Sequence, residues 1–255
     1  EHTLCIGDIV CLYSAESNGY VYAFQSSAFH NEVVVGARQD KVNPDFKDQQ
    51  VFAFEICVAN RYKLNKRYRK LKAKLEKDEA NPNLSSHVHQ AQKAANAENE
   101  DNELQQKIHQ GKNLLYGQVI QLRHLFTNKY IHVSSSTSIA ESSNMAVELQ
   151  EYNAKHAQFK IMPMYKVKAG GVVVHADDQI VLESVECTGQ YLHVSDKHLR
   201  KISIYDRSHE LNLSIHQSGF IVCKKYKPAP DDDKKVMAGD VIRLYHNEIG
   251  AYLVA

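Results

Sequence analysis

The 255-residue chain is long enough for one large domain or two small ones, and at 43% hydrophobic it can build a core. Its formal net charge of +1 gives no whole-molecule argument for nucleic acid, so electrostatics must act locally. No apolar run approaches the roughly 18 to 20 residues of a membrane span.

Glu1-His2-Thr3 lacks the basic start and apolar middle of a signal peptide. Five cysteines, Cys5, Cys11, Cys57, Cys187 and Cys223, form no CxxC and read as small buried groups of a reducing compartment. A regulatory thiol would sit at Cys5 or Cys11.

In chain order, Gly7 to Phe24 alternates apolar with polar residues up to Leu12, crosses a polar turn and resumes on Tyr20. This predicts a β-hairpin with strands near 7–13 and 19–24. NEVVV at 31–35 predicts a third strand. QVFAFEICVA at 50–59 predicts a fourth, with Phe52, Phe54 and Ile56 on one face. The polar stretch 40–49 between them holds Asn43-Pro44-Asp45, a loop signal.

At Arg61 the period changes. Leu64, Tyr68, Leu71 and Leu75 fall at i, i+4, i+7 and i+11, one stripe of an α-helix. Asn81-Pro82-Asn83 breaks it, and Ser85 or Ser86 caps a second, Ala-, Gln- and Glu-rich helix reaching Ile108. The basic face of the first helix is expected near Glu98, Glu100, Asp101 and Glu103. The cations from Arg61 to Lys77 read as spread around that helix, more a solvated face than a phosphate- or lipid-binding one.

From Gly117 the first hairpin returns. Leu122 and Tyr130 repeat Leu12 and Tyr20, and Leu182 with Tyr191 and Leu244 with Tyr252 repeat them again. The Leu-to-Tyr step is 8, 8, 9 and 8 residues by subtraction. An apolar-x-Ile pair follows the first three copies: Phe54-x-Ile56, Phe159-x-Ile161 and Leu213-x-Ile215. Further strands are expected at 145–149, 158–162 and 219–226, with a Ser-rich loop at 134–144 and a hairpin over 166–175 around Gly170-Gly171.

One hairpin cannot bury its apolar face, but three about an axis close a barrel with few edges. The predicted fold is therefore mostly β. It is a β-trefoil over 1–226 with a helical arm inserted at about 60–112, a linker at 227–238, and the first hairpin of a second β-trefoil at 239–255. The chain has no Trp, so the Gln-x-Trp of ricin-type sugar binders is absent.

No catalytic residue, metal site or cofactor is predicted. His87 and His89 point to different faces of a helix. Asp231-Asp232-Asp233 lacks the spacing of a calcium loop. No phosphate loop or nucleophile elbow occurs.

A series of stretches runs through the chain: Ile6-Gly7-Asp8-Ile9-Val10 with Leu12-Tyr13, Asn60-Arg61-Tyr62, Leu115-Tyr116-Gly117 with Ile120-Gln121-Leu122 and His124, Asn128-Lys129-Tyr130, Pro163 with Tyr165-Lys166, and Gly239-Asp240-Val241 with Arg243-Leu244 and His246. Together they resemble the N-terminus of inositol 1,4,5-trisphosphate receptors and, more distantly, of ryanodine receptors. The middle section is similar to the MIR module. The family's Trp near Gln158 or Phe159 and near Leu213 is missing, and the arm is longer and more charged than usual.

The resemblance implies a non-enzymatic suppressor domain of a tetrameric calcium-release channel, on the cytosolic face of the endoplasmic reticulum membrane. It implies that inositol trisphosphate binds downstream of Ala255, so no ligand-binding residue is expected here. The implied partners are the adjacent ligand-binding domains of the same polypeptide and neighbouring subunits, without nucleic acid or membrane insertion. Tyr165 matches an aromatic on a loop used for inter-domain coupling. The alternative is a MIR-type trefoil of the secretory pathway that binds a glycan or client protein.

Overall fold

The computed structural model describes residues 3–26, 29–37, 52–77, 82–151, 154–165, 168–198, 208–224, 245–246 and 251–252. Contacts divide the chain into a unit at Glu1–Lys225 and a second at Tyr226–Ala255. The expected loop at 40–49 and linker at 227–238 lie outside the described residues.

The larger unit carries β1 (Ile9–Ser14), β2 (Gly19–Ser26), β3 (Phe29–Ala37), β4 (Phe54–Val58), β5 (Val119–His124), β6 (Tyr130–Thr137), β7 (Met145–Gln150), β8 (Phe159–Pro163), β9 (Gln179–Ser184), β10 (Tyr191–His198), β11 (Ser208–Ser214) and β12 (Phe220–Lys224). Every strand pairing among the described residues is antiparallel. Six strands form a closed circuit, β1 to β4, β5, β8, β9, β12 and back to β1. A second circuit joins β3, β7 and β11.

Each strand of the first circuit sends an i, i+2 pair inward, as period-2 alternation requires. The pairs are Val10/Leu12, Phe54/Ile56, Ile120/Leu122, Phe159/Ile161, Ile180/Leu182 and Phe220/Val222, all buried in one core. Full burial of such a side chain contributes about 1.5–3 kcal/mol. The third apolar pair is thus Phe220-x-Val222, not the expected Leu213-x-Ile215. Leu213 is buried, but β11 ends at Ser214 and Ile215 is 71% exposed.

One end of the circuit is tied by a cycle of three backbone bonds. Leu4 N–H donates to Val174 O, Val174 N–H to Leu114 O and Leu114 N–H to Leu4 O, at 2.9, 2.8 and 2.8 Å. Just after each member, the chain turns at positive φ: Gly7 (+85°), Gly117 (+88°) and Asp177 (+68°). The N–H groups of these three donate to Ile56 O, Ile161 O and Val222 O. The next side chain then closes each turn, Asp8 on Cys5 N–H, Gln118 on Leu115 N–H and Asp178 on His175 N–H.

The hairpins form where the Leu-to-Tyr spacing places them. Each Tyr pairs with the residue after its Leu: Tyr13 with Tyr20, Arg123 with Tyr130 and Glu183 with Tyr191. In the second unit, taken by itself, β13 (Tyr245–His246) and β14 (Ala251–Tyr252) pair Tyr245 with Tyr252.

Two further local expectations differ. Phe52 precedes β4 and leaves the face of Phe54 and Ile56. It joins a separate cluster with Cys11, Tyr13, Tyr20 and Tyr22. The hairpin expected over 166–175 is a turn at 169–172, with Val172 and Val174 bonded to Tyr116 and Leu114 rather than to each other's strand.

Two helices occupy the chain between β4 and β5, α1 (Lys63–Leu75) and α2 (Pro82–His109). α2 starts at Pro82, ahead of Ser85 and Ser86, because the first helical position tolerates a residue with no N–H. Bonds from Asn65 to Ala95 and from Arg61 to Asn102 show the two helices running antiparallel.

Candidate functional site

β8 ends at Pro163, paired with Ile180, and Met164 N–H donates to Gln179 O at 3.1 Å. The chain then leaves the sheet, and Tyr165 stands 62% exposed. A Tyr this exposed gives little to the core.

The far side of the same loop is fixed by Asp178. Its carboxylate accepts from Lys168 Nζ at 2.6 Å, Tyr116 OH at 3.0 Å and His175 N–H at 2.8 Å. Lys168 Nζ also lies 5.6 Å from the centroid of the Tyr116 ring. Burial alone would raise the Asp178 carboxyl, but the bonds from Lys168, His175 and Tyr116 hold it below the usual carboxylate range. Burial, and then its bond to Asp178, pushes the Tyr116 hydroxyl up. The backbone of Tyr116 completes the clasp, accepting from Gly171 N–H at 2.8 Å and donating to Val172 O at 2.9 Å. Tyr165 thus stands exposed between the hydrogen-bonded end of β8 and the bonds that gather on Tyr116 and Asp178.

Tyr116 was visible in the sequence only as part of Leu115-Tyr116-Gly117. Its partner Asp178 is 62 residues away, and nothing local announces the pairing.

Among the described residues the interior of the six-strand circuit is filled. The space among Leu4, Leu12, Leu114, Leu122, Leu182 and their neighbours is about 10 Å³. That is at the lower limit for one water. A phosphorylated ligand there would lose its hydration with no polar partner in return.

The root of the helices is pinned by Asn60. Its N–H donates to Gln121 Oε1 at 2.8 Å, and its carbonyl accepts from Gln158 Nε2 at 2.8 Å. Gln158 therefore ties the sheet to the helices through an amide. Phe159 beside it fills the core. Arg61 N–H donates to Asn102 Oδ1, and Asn102 Nδ2 donates back to Arg61 O, at 2.8 and 2.9 Å.

Glu98 of α2 accepts from the N–H groups of Leu64 and Asn65 at 3.1 and 2.9 Å, so it caps the start of α1. Of the expected contacts between the basic face of α1 and the acidic residues of α2, the structure places Arg61 on Asp101 at 2.6 Å. Glu98 serves the backbone instead.

Beside this root lies a groove of about 570 Å³, lined by amides of Asn60, Asn99, Asn102 and Gln106 and by the Glu55–Arg123 ion pair. Burial pushes the Cys57 thiol there up to about 12, which keeps it an unreactive thiol near neutral pH. None of the five cysteines forms a disulfide. Cys11 is buried and sits opposite Cys223 across β1 and β12, while Cys5 is half-buried.

A family model described as inositol 1,4,5-trisphosphate/ryanodine receptor matches residues 1–224. The chain is 28% identical, over 261 aligned residues, to the inositol 1,4,5-trisphosphate receptor itr-1 of Caenorhabditis elegans. That alignment covers 98% of this chain and 9% of the relative, so the chain spans about 9% of the length of that curated protein. No described helix is long and apolar enough to cross a membrane. With the match running from the first residue to the end of β12, the chain belongs to the inositol 1,4,5-trisphosphate/ryanodine receptor family.

Proposed function

We propose that residues 1–226 are a β-trefoil regulatory module of an inositol 1,4,5-trisphosphate-gated calcium-release channel, with α1 and α2 as an inserted arm. Residues 239–255 open a second β-trefoil after a linker at 227–238. The module holds no messenger itself. It lowers the messenger affinity of the downstream domains and passes their rearrangement toward the pore. The parent channel sits in the endoplasmic reticulum membrane as a tetramer, with this module on its cytosolic face.

The observation that carries this reading is the pairing of a filled barrel with an exposed, clasped loop. A domain that binds no ligand can change affinity only through contacts that differ between two states of its neighbours. Tyr165, projecting from a loop fixed at both ends, is suited to make such a contact. The threefold repetition of the Gly7, Gly117 and Asp177 turns favours the trefoil.

The test is inositol trisphosphate binding by the parent polypeptide carrying Tyr165→Ala. Coupling energies of about 1–3 kcal/mol translate to affinity gains of about 5- to 150-fold. An unchanged affinity together with a lowered melting temperature would assign Tyr165 a purely structural part.

A further inference from the structure

The basic residues of α1 are more ordered than their sequence implies. At 100° per residue, Lys63, Lys66, Arg67, Lys70 and Lys74 fall within about 100° of arc. All five are exposed. Asn65, through which α1 bonds to Ala95, Glu98 and Asn99, lies on the side facing α2. It is about 150° from the centre of the stripe. The cations therefore point away from the neighbouring helix.

Little compensates them. Among the described residues none of the five takes part in an ion pair. Lys66 acts on Glu186, whose direct partner is Lys155. From Pro82 to Ala97 the sequence of α2 has no acid, only His87, His89 and Lys93, and its carboxylates begin at Glu98.

We propose that this stripe docks side-on against an anionic lipid bilayer surface. Four of the five residues are lysine, a compact point charge that suits a plane of mobile headgroups better than bidentate recognition of one fixed group. The stripe carries no aromatic, and Tyr62 and Tyr68 on other faces are half-buried, so the base-stacking surface of a nucleic-acid binder is missing. The exposed apolar residues beside it, Leu64 and Leu104, line a hollow with Glu98, Glu100 and Asp101, which repels an acidic polypeptide seeking an apolar hold. Attraction to anionic headgroups accumulates per cation and fades beyond a Debye length.

The experiment is co-sedimentation of the 255-residue chain with phosphatidylcholine vesicles, with and without phosphatidylserine, at low and high salt. The chain binds only the phosphatidylserine vesicles, and salt releases it. Lys63→Glu, Lys70→Glu and Lys74→Glu together weaken binding by at least about tenfold. The same charge change at Lys107, Lys112 and Lys197, also exposed, leaves most of it. Circular dichroism of each variant checks that α1 persists. Failure to bind phosphatidylserine vesicles at low salt overturns the proposal. So does equal loss in both triple variants, or binding confined to a polyanionic RNA or an acidic peptide.

Discussion

Lys168 Nζ and Asp178 Oδ1 meet at 2.6 Å across the base of the loop that carries Tyr165. The bond is partly solvent-exposed and of modest worth as an isolated ion pair. Its consequence lies in what Asp178 also holds, the Tyr116 hydroxyl and the His175 N–H. Replacing the carboxylate by an amide leaves three donors competing for one neutral acceptor oxygen. Asp178→Asn is expected to cost about 1–3 kcal/mol in urea unfolding. Lys168→Met, which removes one donor only, is expected to cost less than half as much.

The three positive-φ turns are occupied by Gly, Gly and Asp. A side chain at φ near +68° to +88° is strained, and glycine removes the strain at an entropic cost in the unfolded chain. Asp177→Gly is therefore expected to be neutral to stabilising by up to about 1 kcal/mol. Gly117→Ala is expected to destabilise by about 1–2 kcal/mol. Chemical denaturation of both variants checks the pair, and the opposite ordering would mean that the turns are not equivalent.

Much of this geometry was legible in the sequence, and the failures have physical reasons. The hairpins were readable because Tyr20, Tyr130, Tyr191 and Tyr252 each sit at a cross-strand pair within the first two residues of the returning strand, so spacing reports register. Leu213-x-Ile215 satisfied the same apolar pattern as Phe54-x-Ile56. A pattern does not reveal that β11 stops at Ser214 and sends Ile215 into solvent. The cations of α1 read as scattered because seven cations over its 13 residues hide a five-residue stripe until the direction of α2 is known. The clasp on Tyr165 was invisible because Tyr116, Lys168 and Asp178 meet through the tertiary fold.

His132 gives the molecule an acid sensitivity. Burial, and then the neighbouring His156, pushes its pKa down to about 4 from an ordinary 6.5. The unfolded chain then binds a proton that the folded chain refuses, so stability is full above about pH 6.5 and falls as pH drops toward about 4. His132→Gln is expected to flatten that slope, by about 3 kcal/mol at most. Urea unfolding at pH 7 and pH 4.5 compares the two. An unchanged slope would place the sensitivity elsewhere.

Glu98 is expected to matter more to α1 than any residue within it. Glu98→Ala leaves the N–H groups of Leu64 and Asn65 without their acceptor, at a cost of about 1–2 kcal/mol to the start of the helix. Hydrogen exchange at residues 63–67 should quicken while β5 and β8 keep their protection. Protection unchanged at Leu64 and Asn65 would show that the cap is redundant.

On the proposed reading, residues 1–226 restrain messenger binding without touching the messenger. The most direct measurement is the inositol trisphosphate dissociation constant of the parent polypeptide with and without those residues. Tighter binding is expected after their removal, by about 5- to 150-fold, with no binding to residues 1–226 alone. Equal affinities, or a bound messenger within residues 1–226, would contradict it.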